Sequence, residues 1–118
     1  MNIESFREYC LAKNCVTECF PFDETILVLK VMDKMFALTA LDSVEFRLNL
    51  KCDPEKAIEL REQYSSVIPG WHMSKKHWNT VIVDGSIPVN IIKSWIDHSY
   101  NLVVDSLPKK QRLIVFGS

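Results

Sequence analysis

Residues 68–83, IPGWHMSKKHWNTVIV, concentrate the side chains of this chain that could bind or react: two of the three Trp, two of the three His and a Lys pair. Lys75 and Lys76 offer cations to phosphates, and Trp71, His72, His77 and Trp78 offer rings that stack on bases, a mixture suited to a nucleic-acid surface. The same residues have a structural alternative, in which Trp71 and Trp78 are core or rim aromatics and the Lys pair is solvated between them. Hydrolysis would need His72 or His77 as a general base beside a Cys or Ser nucleophile, or both His as metal ligands. The His-x4-His spacing lacks the neighbouring Glu that activates water in zinc proteases. Gly70, Gly85 and Gly117 stand alone, so neither a Gly-rich phosphate loop nor a Gly-x-Ser-x-Gly elbow is present. The expectation is a non-catalytic protein, because no base and orienter are paired in the sequence.

The remaining reactive residue types point to structure. Cys10, Cys15 and Cys19 are separated by four and three residues and Cys52 is distant, so no Cys-x-x-Cys motif is formed. Small apolar thiols in or near a core are expected, with no metal and no cofactor. Asp23, Glu24, Asp33, Asp42 and Asp53 fall at element ends, where Asp and Glu make turns and caps, and no calcium-loop spacing occurs.

With 118 residues, 47% hydrophobic and 25% charged, the composition is that of one soluble globular domain spanning the chain, 1–118. No apolar run reaches the roughly eighteen residues of a membrane helix, and the N-terminus lacks a signal-peptide pattern. A cytoplasmic monomer with no membrane partner is expected, a protein partner being left open. Net charge is −1, but residues 1–60 carry 7 Lys and Arg against 11 Asp and Glu, whereas residues 61–118 carry 7 against 4. A modest basic face is therefore allowed in the second half.

The elements that must position these residues are legible from periodicity and punctuation. Asn2 caps a first helix with Ile3, Phe6, Cys10 and Leu11 on one face, ending near Lys13. Residues 16–22, broken by Pro21, suit an edge segment. Residues 25–31 and 34–38 flank Met32-Asp33 as a hairpin. Residues 43–50 alternate Val44, Phe46, Leu48 and Leu50 with polar positions, a half-buried strand. Asp53-Pro54 starts a second helix, with Ala57, Leu60 and Tyr64 on one face. Pro69-Gly70 is a turn, residues 80–83 a short strand, and Pro88 opens a C-terminal helical stretch read as two helices or one bent near Ser99. The tail after Pro108 reads as a last strand or a docked terminus. Strands followed by helices give an α+β class, a two-layer sandwich of an antiparallel sheet with helices packed on one face. The other sheet face is expected to be open to solvent or to a partner.

The motifs Pro21-Phe22, Lys34-Met35-Phe36-Ala37, Leu50-Lys51-Cys52-Asp53-Pro54, Pro69-Gly70-Trp71-His72-Met73 with residues 75–81, Ser99-Tyr100 and Leu107-Pro108-Lys109 occur together in this order. By them the chain resembles the MmcQ/YjbR family of small bacterial proteins over essentially its whole length. The resemblance implies a CyaY-like fold in a double-wing arrangement, and DNA as the partner. It places Lys75, Lys76, His77, Trp78 and Asn79 in the family's central motif, with Lys34 and Lys51 as further basic candidates. The residues themselves add Lys109, Lys110 and Arg112 as phosphate contacts in a regulatory, nucleic-acid-binding module. The alternative is a protein- or small-ligand-binding domain whose open sheet face docks the partner. In that case the turn at Pro69-Gly70, both Trp and the strand 80–83 build the fold, leaving Lys75, Lys76 and His77 as contacts.

Overall fold

A computed structural model describes residues 1–117. Along the chain run α1 (Ile3–Leu11), β1 (Val16–Cys19), β2 (Ile26–Val31), β3 (Lys34–Ala40), β4 (Arg47–Lys51), α2 (Pro54–Gln63), β5 (Val67–Pro69), β6 (Trp78–Ile82), α3 (Val89–Ser106) and α4 (Lys109–Gly117). The strands form one six-stranded sheet in the order β1-β2-β3-β4-β6-β5, every neighbouring pair antiparallel. This is the expected α+β sandwich.

Local chemistry sets the element ends. Asn2 and Ser5 form a reciprocal capping box at the start of α1, and Asp53 accepts from the Lys56 N–H with Pro54 in the first turn of α2. Met32 and Asp33 both have positive φ, the conformation a two-residue hairpin turn requires, and so fix the β2–β3 register.

The inner sheet face carries Leu27, Leu29, Val31, Phe36, Leu48, Leu50, Val67 and Val81. It packs on Phe6 and Cys10 of α1, on Ile92, Trp95, Ile96, Val103 and Val104 of α3, and on Val115 of α4. Ser99 stitches the layers together at the end of the β3–β4 pairing: its buried hydroxyl donates to the Phe36 carbonyl at 2.5 Å and accepts from the Lys51 N–H at 2.9 Å. That bond also fixes the direction in which Lys51 leaves the sheet. Burial pushes the Cys10 thiol up to about 12 and the Cys52 thiol up to about 11, as befits thiols enclosed in apolar surroundings.

Four sequence expectations need correction. The strand expected over residues 43–50 starts only at Arg47, and Val44 is fully exposed (105%), because residues 41–46 turn the chain between β3 and β4. A strand precedes the Pro69-Gly70 turn: residues 67–69 pair with β6 at the sheet edge. The stretch opened by Pro88 is one unbroken helix of 18 residues, α3. The tail is helical up to Gly117. Of the two readings of its apolar run, the last strand is overturned and the docked terminus holds: the Pro108 carbonyl accepts from the Gln111 and Arg112 N–H groups and starts a helix that seats Val115 in the core. The tail's last residue, Ser118, lies outside the described residues.

Candidate nucleic-acid interface

Strand register defines the outer face, which no helix covers. Directly paired residues share a face, so the register gives a central row across the sheet of Cys19, Val28, Leu38, Asn49, Thr80 and Ile68. Two residues away in one direction lie Thr17, Lys30, Lys51 and Trp78, with Met35 three residues from Leu38 because a bulge opposite Leu29 and Lys30 adds one residue to β3; in the other lie Ile26, Ala40, Arg47 and Ile82. Val28, Leu38 and Trp78 are buried on this face under Cys19, Ile26, Met35 and Met73.

Met73 belongs to the β5–β6 connection, residues 70–77, which folds back across the sheet. Its attachment starts at Gly70, whose N–H donates to the Trp78 carbonyl at 2.9 Å. A Cβ at Gly70 would lie 2.7 Å from the Trp78 Cβ, so only Gly permits this approach. The next residue is clamped by two central-row side chains. The Trp71 N–H donates to Thr80 Oγ1 at 3.0 Å, Asn49 Nδ2 donates to the Trp71 carbonyl at 3.3 Å, and Thr80 Oγ1 donates to Asn49 Oδ1. His72 follows with φ of 58°, a left-handed conformation costing on the order of 1 kcal/mol in a residue other than Gly. The result is an exposed aromatic pair on a fixed backbone, with the Trp71 and His72 ring centroids 4.0 Å apart.

The connection then descends to the Lys51 end of the sheet. The His77 carbonyl accepts from the Cys52 N–H at 2.8 Å, and Arg61 of α2 holds the loop by donating through Nη2 to the Lys75 carbonyl and through Nε to Asn79 Oδ1 at 2.8 Å. Lys75, Lys76 and His77 are exposed beside the half-buried Lys51. Among the described residues, Lys30, Lys51, Lys75 and Lys76 make no ion pair, whereas Arg47 is bound to Glu45.

The sequence-derived contact residues therefore divide. The backbone of Lys75, Lys76 and His77 lies beside Lys51 through the Cys52–His77 bond, and Lys75 Nζ donates to the Gly70 carbonyl at 3.4 Å. Lys34 pairs with the core-facing Val31 and so leaves the sheet on the helix side, and Lys109, Lys110 and Arg112 lie on α4, which packs into the helix layer. Arg112 also has its Nε buried without a hydrogen-bond partner among the described residues. Trp78 and Asn79 are corrections: Trp78 is 8% exposed, and Asn79, 2% exposed, spends its amide on the Ala57 carbonyl and its oxygen on Arg61. Trp71 corrects the opposite expectation, since it is 58% exposed and is not a fold-building core residue. Sequence reasoning missed Lys30 and Phe22. The signal for Lys30 was present, as the one charged residue in the apolar run ILVLKV; for Phe22, 60% exposed, it was the Pro21-Phe22 motif, which marked the family and not a role.

A family model described as YjbR matches residues 11–102, most of the chain. The chain belongs to the YjbR family. Among the relatives, the uncharacterized protein YjbR of Escherichia coli strain K12 is 38% identical over 117 residues, 98% of each chain. The uncharacterized protein YbdF of Escherichia coli O157:H7 is 37% identical over 110 residues, 92% of this chain and 89% of that one. The crystal structure of the Deinococcus radiodurans protein DR2400, a DUF419 domain, superposes with a TM-score of 0.91 at 37% identity, covering 98% of this chain and 88% of that one. The similarity runs across nearly the whole chain, the DR2400 domain shares this fold, and none of these names states an activity.

Proposed function

We propose that this YjbR-family protein is a non-catalytic nucleic-acid-binding domain that uses the outer face of its sheet. The observation that carries it is the hydrogen bond from the Cys52 N–H to the His77 carbonyl, which sets the backbone of the Lys75-Lys76-His77 segment beside Lys51 at one end of the outer sheet face, where Lys30 in the same row also has no ion-pair partner among the described residues. These cations are local, so the chain's net charge of −1 does not oppose them at distances beyond a Debye length of about 8 Å in physiological salt. Phosphate contacts of this kind supply affinity and orientation without sequence information.

Fluorescence anisotropy with labelled single-stranded and duplex DNA, across a salt series, tests the proposal. Binding is expected at low salt and to weaken as salt rises. Lys51→Ala/Lys76→Ala is expected to lower the slope of log affinity against log salt by about 2, one per lost phosphate contact. No binding at low salt, or a slope unchanged in the double variant, overturns the assignment.

A further inference from the structure

Besides its cations, the outer face carries a groove of about 260 Å³. Its floor is Ile26, Leu38, Ala40 and Asn49, from three adjacent strands. Phe22, from the β1–β2 connection, stands against it on one side, and Trp71, His72 and Met73 stand on the other. Ligand pockets for whole drug-sized molecules begin near ~300 Å³, so the space suits a single planar ring system.

The composition of the groove narrows the ligand. Phe22 and Trp71 are both more than half exposed, an unfavourable disposition for large aromatic rings unless something covers them. The Trp71 ring is presented from a residue held at both its N–H and its carbonyl, so little ordering is left for binding to complete. At the floor, Asn49 Nδ2 uses one N–H on the Trp71 carbonyl, and its second has no partner among the described residues and can serve a ligand. Rings for stacking and an amide for hydrogen bonding are the two elements with which proteins hold an unstacked base.

Charge gives the direction of the attached backbone. Beyond Asn49 and Trp71 a second hollow, about 280 Å³, is lined by Asp42, Ser43, Arg47 and Thr80, and there Arg47 is already paired with Glu45. That end holds two carboxylates against one cation. Lys51 lies on the same outer face two residues from Asn49 in the opposite direction, about 7 Å along β4, where the Cys52 N–H bond to the His77 carbonyl brings in the segment that carries Lys75 and Lys76.

From this arrangement we infer that the groove between Phe22 and the Trp71–His72 pair takes one unpaired nucleobase, whose sugar-phosphate leaves toward Lys51 and Lys76. The inference rests on the outer-face assignment for the source of the base, either a single strand or a free nucleotide, and on the groove alone for the base itself. A base within a duplex is stacked and paired, so single strands are expected to bind in preference.

The test uses the full chain in anisotropy titrations with a labelled oligothymidine, the same strand annealed into duplex, and an abasic strand of equal length, with unlabelled thymidine monophosphate as competitor. The expected result is tighter binding of the oligothymidine than of duplex or abasic strand. Trp71→Ala should weaken the oligothymidine by roughly 5- to 150-fold, the loss of one base–aromatic stack, and by clearly more than it weakens the duplex. Thermal melting verifies that the variant is folded; should it not be, Phe22→Ala on the facing wall gives the same readout. Binding of the mononucleotide but of no strand supports the base groove and overturns the nucleic-acid assignment. Equal affinity for all three strands with no effect of Trp71→Ala overturns the groove while leaving the phosphate contacts intact. Binding of none of the probes overturns both.

Discussion

The two tryptophans that bracket the β5–β6 connection should behave oppositely when truncated. Trp78 is 8% exposed and packs with Val28 and Leu38 on the outer face, whereas Trp71 is 58% exposed over the groove. A buried Trp removes roughly 150–250 Å² from water, worth ~4–6 kcal/mol at ~25 cal/mol per Å². Partial compaction of the unfolded chain lowers this by ~10–40%, so Trp78→Ala should cost about 3–5 kcal/mol, the usual range for Trp truncation in a core. At ~4 °C per kcal/mol for a domain of this size, its melting midpoint should fall by ~12–20 °C. Trp71→Ala should stay within about 0.5 kcal/mol of the parent, as surface substitutions do. Urea denaturation followed by circular dichroism, confirmed by calorimetry, measures both, with unchanged m-values required for the comparison. If Trp71→Ala proves as destabilising as Trp78→Ala, then Trp71 is a packing residue and the division of roles drawn from burial is refuted.

Two further perturbations probe the scaffold of the same face. Gly70→Ala puts a methyl 2.7 Å from the Trp78 Cβ and 2.9 Å from its carbonyl oxygen, so it should cost about 1–3 kcal/mol by urea denaturation; a neutral result means the loop does not approach the strand this closely. His98 Nε2 accepts from the Asp53 N–H at 3.2 Å, and burial, with Lys56 nearby, holds its pKa below the ordinary 6.5. Below pH 6.5 the unfolded chain therefore binds a proton that the folded chain resists, and stability should fall as pH drops through this region. His98→Asn should flatten that part of the profile; an unchanged slope between wild type and variant refutes the link.

Much of the fold was legible because its signals are local. The Asn2 cap, the Asp53-Pro54 start, the Met32-Asp33 turn and the alternation at Leu48 and Leu50 each follow from backbone chemistry within a few residues. The errors came where a partner far away in sequence decided the outcome. Residues 43–46 alternate like a strand, but pairing with β6 begins only at Arg47. Residues 113–116 have strand propensity, but capping at Pro108 and the core contact of Val115 make them helical. The candidate site was legible in composition and illegible in arrangement. Lys75, Lys76 and His77 were identified correctly as exposed, while the roles of the two Trp were not separable: both are flanked by polar residues and both are large, and only the fold of the loop buries one of them.

By itself the sequence determined the element types, the covalently imposed two-residue period of each strand, and membership of a family through motifs spread along the chain. Period two says that Lys51 and Leu50 point to opposite faces; it does not say which face a helix will cover. The tertiary structure decided that α1, α3 and α4 all bury the Leu50 side, leaving Lys51 outward, and that the Gly70 approach and the Asn49–Thr80 clamp lay residues 70–77 across the other side. The physical reason is that burial depends on contacts between residues distant in sequence, as between Asn49 and Trp71 or Lys51 and Ser99, and such contacts exist only once the chain has closed on itself.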